Sequence, residues 1–246
     1  MRRKIILVAV LLVGLAGWAS ADVLTVPGFG HGFINTPVAW NSRSLYWQLS
    51  ALGAFGGHRL ANSGTGSVLY SYDRWEFGAG IVEFGDKNNT QLMGGEARYN
   101  FLKTRNDFYV TGLGGLQRSD SDIGGQSTSV LALLFGQKFR RGGVSLTGAY
   151  WTAAGQDSHG RDVGNDFEWA GNAYFDIDKK DRWKIFGEAY AFNDADKSGQ
   201  AGGFIYTLQP NVKLSAAVLN TSNPFSRRQF ELGIHMILPK PFNFDP

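Results

Sequence analysis

Near its C-terminus the chain alternates without interruption. Phe230, Leu232, Ile234, Met236 and Leu238 share one parity, and Gln229, Glu231, Gly233 and His235 share the other. Successive side chains of a strand point to opposite faces, so this pattern predicts a strand with one apolar and one polar face. The same alternation sets Trp75, Phe77, Ala79 and Ile81 against Arg74, Glu76, Gly78 and Gly80. It sets Met93, Gly95, Ala97, Tyr99 and Phe101 against Glu96, Arg98 and Asn100, and Phe167, Trp169, Ala173, Phe175 and Ile177 against Asp166, Glu168, Asn172 and Asp176. Twelve such runs can be drawn, at about 44–55, 66–73, 74–84, 92–102, 107–117, 126–139, 143–153, 165–178, 182–192, 200–208, 211–220 and 228–238. Ten to fourteen strands are compatible with the pattern.

A soluble sandwich and a membrane barrel both produce half-apolar strands, and the connections separate them. Along the chain they run long, short, long, short: 56–65, 118–125, 154–164, 193–199 and 221–227 are long, whereas 73–74, 103–106, 140–142, 178–181 and 209–210 are tight. Up-and-down barrels place tight turns on one side of a membrane and loops on the other. Greek-key sandwiches have no reason to alternate in this way. Trp47, Trp75, Trp169, Trp183, Tyr99, Tyr150, Tyr206 and Phe230 lie on the apolar faces, often near run ends, where rings sit at a bilayer interface. The expectation is an all-β, up-and-down antiparallel transmembrane β-barrel of about twelve strands, with its apolar face outward.

Composition sharpens this picture in three places. The 33 glycines and 14% aromatic residues, with charged residues at 18%, argue against disorder. There is no cysteine, so disulfides and thiolate chemistry are excluded. Arg2, Arg3 and Lys4 account for the whole formal charge of +3, and the 21 remaining bases balance the 21 acids, so no nucleic-acid partner is implied. Those three bases precede the apolar run 5–15 and an A-x-A site at Ala19-Ser20-Ala21, which marks 1–21 as a secretory signal peptide.

With that leader and those strands, the chain resembles the outer-membrane β-barrel proteins of Gram-negative bacteria, especially the small porin-like barrels. The resemblance covers 44–238 and includes turns such as Gln209-Pro210-Asn211-Val212-Lys213-Leu214. It implies residence in the outer membrane, contact with outer-membrane lipid, insertion by the barrel assembly machinery and periplasmic termini. One departure stands out: many such barrels end on an aromatic residue, whereas this chain continues beyond Leu238 as a tail over 239–246.

Parity assigns to the lumen the charged residues Arg74, Glu76, Glu96, Arg98, Glu168, Lys184, Glu188, Lys213 and Glu231, together with His235. Same-face register brings Glu76 near Arg98 and Asp176 near Lys184. Mixed charge of this kind fits a pore or binding barrel for small polar solutes with weak ion preference. A salt-bridged, closed structural barrel is the plainer alternative. The run 130–135 is apolar on both faces, and Trp151, Phe186 and Ile205 have inward parity, so part of the lumen is greasy. Residues 22–43 carry Val23, Leu24, Val26, Phe29, Phe33 and Ile34 between Pro27 and Pro37, and are expected to form a periplasmic arm or a lumen plug.

Catalysis and metals find little support. An outer-membrane lipid-modifying hydrolase needs a Ser–His pair, and the nearest echo is Asp157-Ser158-His159 in a long loop; His235 lies within a strand with no nearby serine implied. The fragment Asp194–Gly199 opens like a calcium loop, but Ile205 occupies the position of its bidentate glutamate. No catalytic residue, metal ligand or cofactor is expected.

Overall fold

The structure is a computed structural model and describes residues 24–25, 31–32, 38–39, 46–55, 61–84, 91–121, 124–155, 165–178, 182–193, 198–209, 212–221 and 228–238. In the N-terminal segment, β1 (Leu24–Thr25) and β2 (His31–Gly32) form a two-residue ladder. The strands that follow are β3 (Tyr46–Phe55), β4 (Ala61–Tyr72), β5 (Trp75–Phe84), β6 (Gln91–Lys103), β7 (Phe108–Ser121) and β8 (Gly124–Phe139). They continue as β9 (Gly142–Gly155), β10 (Asp166–Asp176), β11 (Trp183–Phe192), β12 (Ser198–Gln209), β13 (Val212–Thr221) and β14 (Arg228–Leu238). Each pairs antiparallel with its neighbours in sequence, and β14 returns to β3, from Phe230↔Phe55 to Leu238↔Trp47, so twelve strands close into a barrel. Closure leaves no sheet edge, the condition for a sheet in hydrocarbon, where every backbone N–H and C=O needs a partner. Strands of 10 to 16 residues match or exceed the roughly 9–11 that a tilted strand needs to span a bilayer. Among the described residues no helix is long and apolar enough to cross a membrane.

The faces separate as the alternation requires. Leu131, Leu133 and Phe135 are exposed on the outside of β8, while Val130 and Leu134 are buried inside. That settles the two-sided run 130–135: its even positions face in. Leu146, Trp169, Phe175, Ile185, Leu232 and Ile234 are likewise exposed. Rings gather near the two ends of the outer wall. At the tight-turn end Trp75 lies 4.7 Å from Tyr99, and Trp183 lies 4.5 Å from Tyr206, centroid to centroid. Toward the loop end Phe167 packs edge-on to Trp169 at 4.9 Å.

The tight turns are built locally. Asp73 and Asp107 adopt left-handed φ of 51° and 56°, a region that Asp tolerates better than most residues. The ladder β4–β5 then reaches Tyr72↔Trp75, leaving only Asp73 and Arg74 to turn. Register shifts beside Phe101 on β6 and between Thr207 and Gln209 on β12 sit near the same rim, where bulges let barrel strands bend.

Two expected loops are largely strand. β4 begins at Ala61, inside the expected loop 56–65, and β7 and β8 pair up to Ser121↔Gly124, inside the expected loop 118–125. Ser, Gly, Asn and Asp in these stretches hide the alternation, but ladder hydrogen bonds are made by backbone and do not need it. The leader 1–21, the loop residues Asp157, Ser158 and His159 and the tail 239–246 lie outside the described residues.

Candidate functional site: the inner wall

Seen from inside, the barrel is polar and charged at its tight-turn half. Glu76 and Arg98 face each other directly across β5 and β6. Arg98 Nη1 lies 3.7 Å from Glu76 Oε1, and its Nε donates to Glu96 Oε1 at 2.5 Å. The Arg98 and Glu76 side chains are fully buried, so each charge depends on the other's company. Ser71 Oγ adds a hydrogen bond to Glu76 Oε2 at 3.0 Å. On β10 and β11, Asp176 opposes Lys184, whose Nζ donates to Asp176 Oδ1 at 2.5 Å and lies 4.0 Å from the Tyr174 ring centroid. Lys213 and His235 are buried and directly opposed on β13 and β14.

Two residues of the N-terminal segment lie inside this half. Val38 and Ala39 have no exposed surface and pack with Tyr109, Leu134 and Tyr174. Their backbone is held by side chains of three strands. Arg98 Nη1 donates to Val38 O at 3.1 Å, Thr111 Oγ1 donates to Ala39 O, and Ala39 N donates to Ser145 Oγ at 3.1 Å. Gly136 makes the room: a Cβ there would stand 2.6 Å from Ala39 Cβ.

The loop-side half differs. Glu168 on β10 and Glu188 on β11 are buried, and Trp151 Nε1 donates to Glu168 Oε2 at 2.7 Å. Around Glu168 lie Leu113, Val130, Ala149, Ala170, Tyr190 and Phe192, which with it line a cavity of about 210 Å³. Phe186 and Ile205, also expected to face inward, are buried in the tight-turn half, opposite Tyr174 and Lys184.

Arg74 differs from the sequence expectation, the partner of His235 escapes it, and the Glu231 side chain lies outside the described residues. Arg74 belongs to the exposed two-residue turn and reaches the Phe101 carbonyl at 3.5 Å, because the inward parity of β5 starts only after Trp75. Glu231 pairs through its backbone with Ala217 and Ala54, and its side chain lies outside the described residues. His235 does have a serine: Ser215 Oγ stands 2.7 Å from His235 Nε2, both buried. Ser215 is the diagonal cross-strand neighbour of His235 on the same face, a relation visible only once the β13–β14 register is known. Buried on the inner wall, this pair is out of reach of a lipid on the outer wall. Among the described residues no three His, Asp or Glu side chains gather to hold a metal ion.

No family model matches the sequence, and no curated protein sequence matches it. Solved structures do. The chain is similar to the KdgM porin at TM-score 0.58 and 10% identity, covering 77% of this chain and 98% of that one. It is similar to the NanC porin at TM-score 0.57 and 13% identity, covering 79% and 99%. Outer membrane phospholipase A from Escherichia coli matches at TM-score 0.52 and 8% identity, covering 81% and 94%. The fold is that of the small outer-membrane β-barrels, porins among them.

Proposed function

We propose that this protein is a porin-like channel of the bacterial outer membrane for small polar solutes, with residues 22–43 as an arm whose distal end occupies the lumen. The observation that carries the reading is the inversion of the barrel: large apolar side chains cover its exposed outside, while Glu76, Glu96, Arg98, Asp176, Lys184 and Lys213 are buried within. Water-soluble barrels arrange the two faces the other way round. The likeness to KdgM and NanC supports a channel over a lipid hydrolase, as does the burial of the one described Ser–His pair.

In this reading the leader 1–21 is removed on export, the barrel assembly machinery inserts the strands, and both termini remain periplasmic on the tight-turn side. Outer-membrane lipid covers the exposed apolar wall. The anchored stretch Val38–Ala39 narrows the tight-turn half, and the cavity above it is where solute dwells. Fractionation of expressing cells tests the location, and planar-bilayer recording of the refolded protein tests the activity. Discrete conductance steps are expected. A soluble periplasmic protein, or no conductance with the arm present or deleted, would overturn the reading.

A further inference from the structure

The loop-side cavity combines a carboxylate with an aromatic wall. Glu168 sits at its centre by register: it opposes Ala149 on β9 and Phe192 on β11, with Trp151 and Tyr190 one diagonal step away on the same strands. Alanine at 149 and 170 leaves the space that the rings bound. The Trp151 and Phe192 ring centroids are 6.5 Å apart at 48°, and those of Tyr190 and Phe192 are 6.3 Å apart at 84°. The rings are tilted to one another, not stacked, and all three line the same cavity.

Charge favours one kind of occupant. The tight-turn carboxylates have buried cationic partners, Arg98 for Glu76 and Glu96, and Lys184 for Asp176. Glu168, 9% exposed, has the Trp151 indole N–H as its hydrogen-bond partner, and among the described residues no Lys or Arg pairs with it. Asp166, two residues along the same face, adds a second acid whose Oδ2 is buried without a hydrogen bond. A carboxylate held in an apolar enclosure is stabilised by a cation. Aromatic faces attract organic cations, quaternary ammonium above all, through the ring quadrupole. Size sets the other limit. Drug-sized ligands fill cavities of about 300–1,000 Å³, so 210 Å³ admits only a small body.

We propose that this cavity binds a small organic ammonium ion, its cationic head against Glu168 and its carbon shell among Trp151, Tyr190 and Phe192. The inference names a solute class for the proposed channel and rests on that reading only for the route by which the solute arrives. Binding therefore has to be measured apart from conduction.

Isothermal titration of the refolded full-length barrel in detergent, with choline and its uncharged isostere 3,3-dimethylbutan-1-ol, does so. Choline is expected to bind at least tenfold more tightly than the isostere. Glu168→Gln should weaken choline at least tenfold, and Phe192→Leu should weaken it severalfold, with heat-modifiable gel migration confirming that each variant is folded. Should Glu168→Gln fail to fold, the wild-type comparison of choline with its isostere still decides. Equal affinity for the two probes, an unaffected folded Glu168→Gln variant, binding of glucose in place of choline, or no binding to the folded wild type would each overturn the proposal. Choline binding without conductance would remove the channel and leave the site; conductance without choline binding would do the reverse.

Discussion

The guanidinium of Arg98 donates to the carbonyl oxygen of Val38, 3.1 Å away and sixty residues earlier in the chain. The same side chain is the shared cationic partner of Glu76 and Glu96, so one residue both ties two carboxylates of the inner wall and holds the arm. Removing it exposes both dependencies. Arg98→Met is expected to destabilise the barrel by about 3–5 kcal/mol, since it removes the buried guanidinium that stands between two buried carboxylates. Adding Glu76→Gln and Glu96→Gln should recover most of that loss. Denaturant unfolding in lipid vesicles measures both, and a triple variant no more stable than Arg98→Met would contradict this role.

The outer wall is tested at Leu131, which is 70% exposed near the middle of β8. Leu131→Arg should cost about 2–4 kcal/mol, the range for a base at the membrane midplane. Leu131→Ala should cost well under the roughly 2–5 kcal/mol of a buried leucine in a soluble core, because lipid replaces the lost methyl groups. Unfolding of both variants in vesicles gives the comparison. Arg tolerated at no cost would place this face in water.

Much of this arrangement could be foreseen from the residues, and the failures have physical causes. The strict alternation over 228–238 marks β14 to its last residue, since a half-lipid, half-lumen strand leaves no freedom in parity. Glu76 opposite Arg98 followed from parity on adjacent strands. Arg74 shows where parity ends: one residue before the first strand pair, a turn and not the wall sets its direction. Ser215 beside His235 depends on register across a long connection, which no local pattern encodes. Only the extension of the β7–β8 hairpin over 118–125 escaped, its backbone ladder running through Ser, Asp and Gly that carry no apolar period. The arm's composition pointed to the barrel, but its seat needed Gly136, whose missing side chain is a signal only when Ala39 is seen against it.

Gly136 therefore offers a narrow test of the arm. Gly136→Ala places a methyl group 2.6 Å from the Ala39 Cβ position and in tight contact with Ser145 Oγ, at 3.1 Å. The added methyl would also stand 3.3 Å from the Val144 carbonyl oxygen on β9, a few tenths of an ångström of give for the strand pair, whereas the arm at 2.6 Å must move. Single-channel conductance is expected to rise with folding unchanged. Unaltered conductance in a folded variant would show that Val38–Ala39 does not restrict passage.

Ion selectivity follows from the pairing of charges on the inner wall. Strong filters use rings of one sign. Here opposite charges lie within 2.5–3.7 Å of each other, and their fields largely cancel beyond about 8–10 Å at physiological salt. Reversal potentials in a potassium chloride gradient should show weak discrimination with a mild cation bias from Glu168, whose hydrogen-bond partner is the neutral Trp151 indole. Glu96→Gln, which takes compensation from Arg98, should shift the bias toward chloride. Strong anion selectivity in the wild type would contradict the assignment of these residues to the conduction path.

The central claim is an inside-out barrel whose lumen conducts and whose N-terminal arm narrows it. Planar-bilayer conductance of the protein lacking 22–40, set beside that of the protein with its arm, tests this most directly. The strands from Tyr46 onward supply their own closure, with β14 paired to β3, so the shortened protein should still insert. Its conductance should be severalfold larger and steadier than that of the intact chain. Equal conductance would remove the arm from the pore, and silence from both folded proteins would contradict the channel itself.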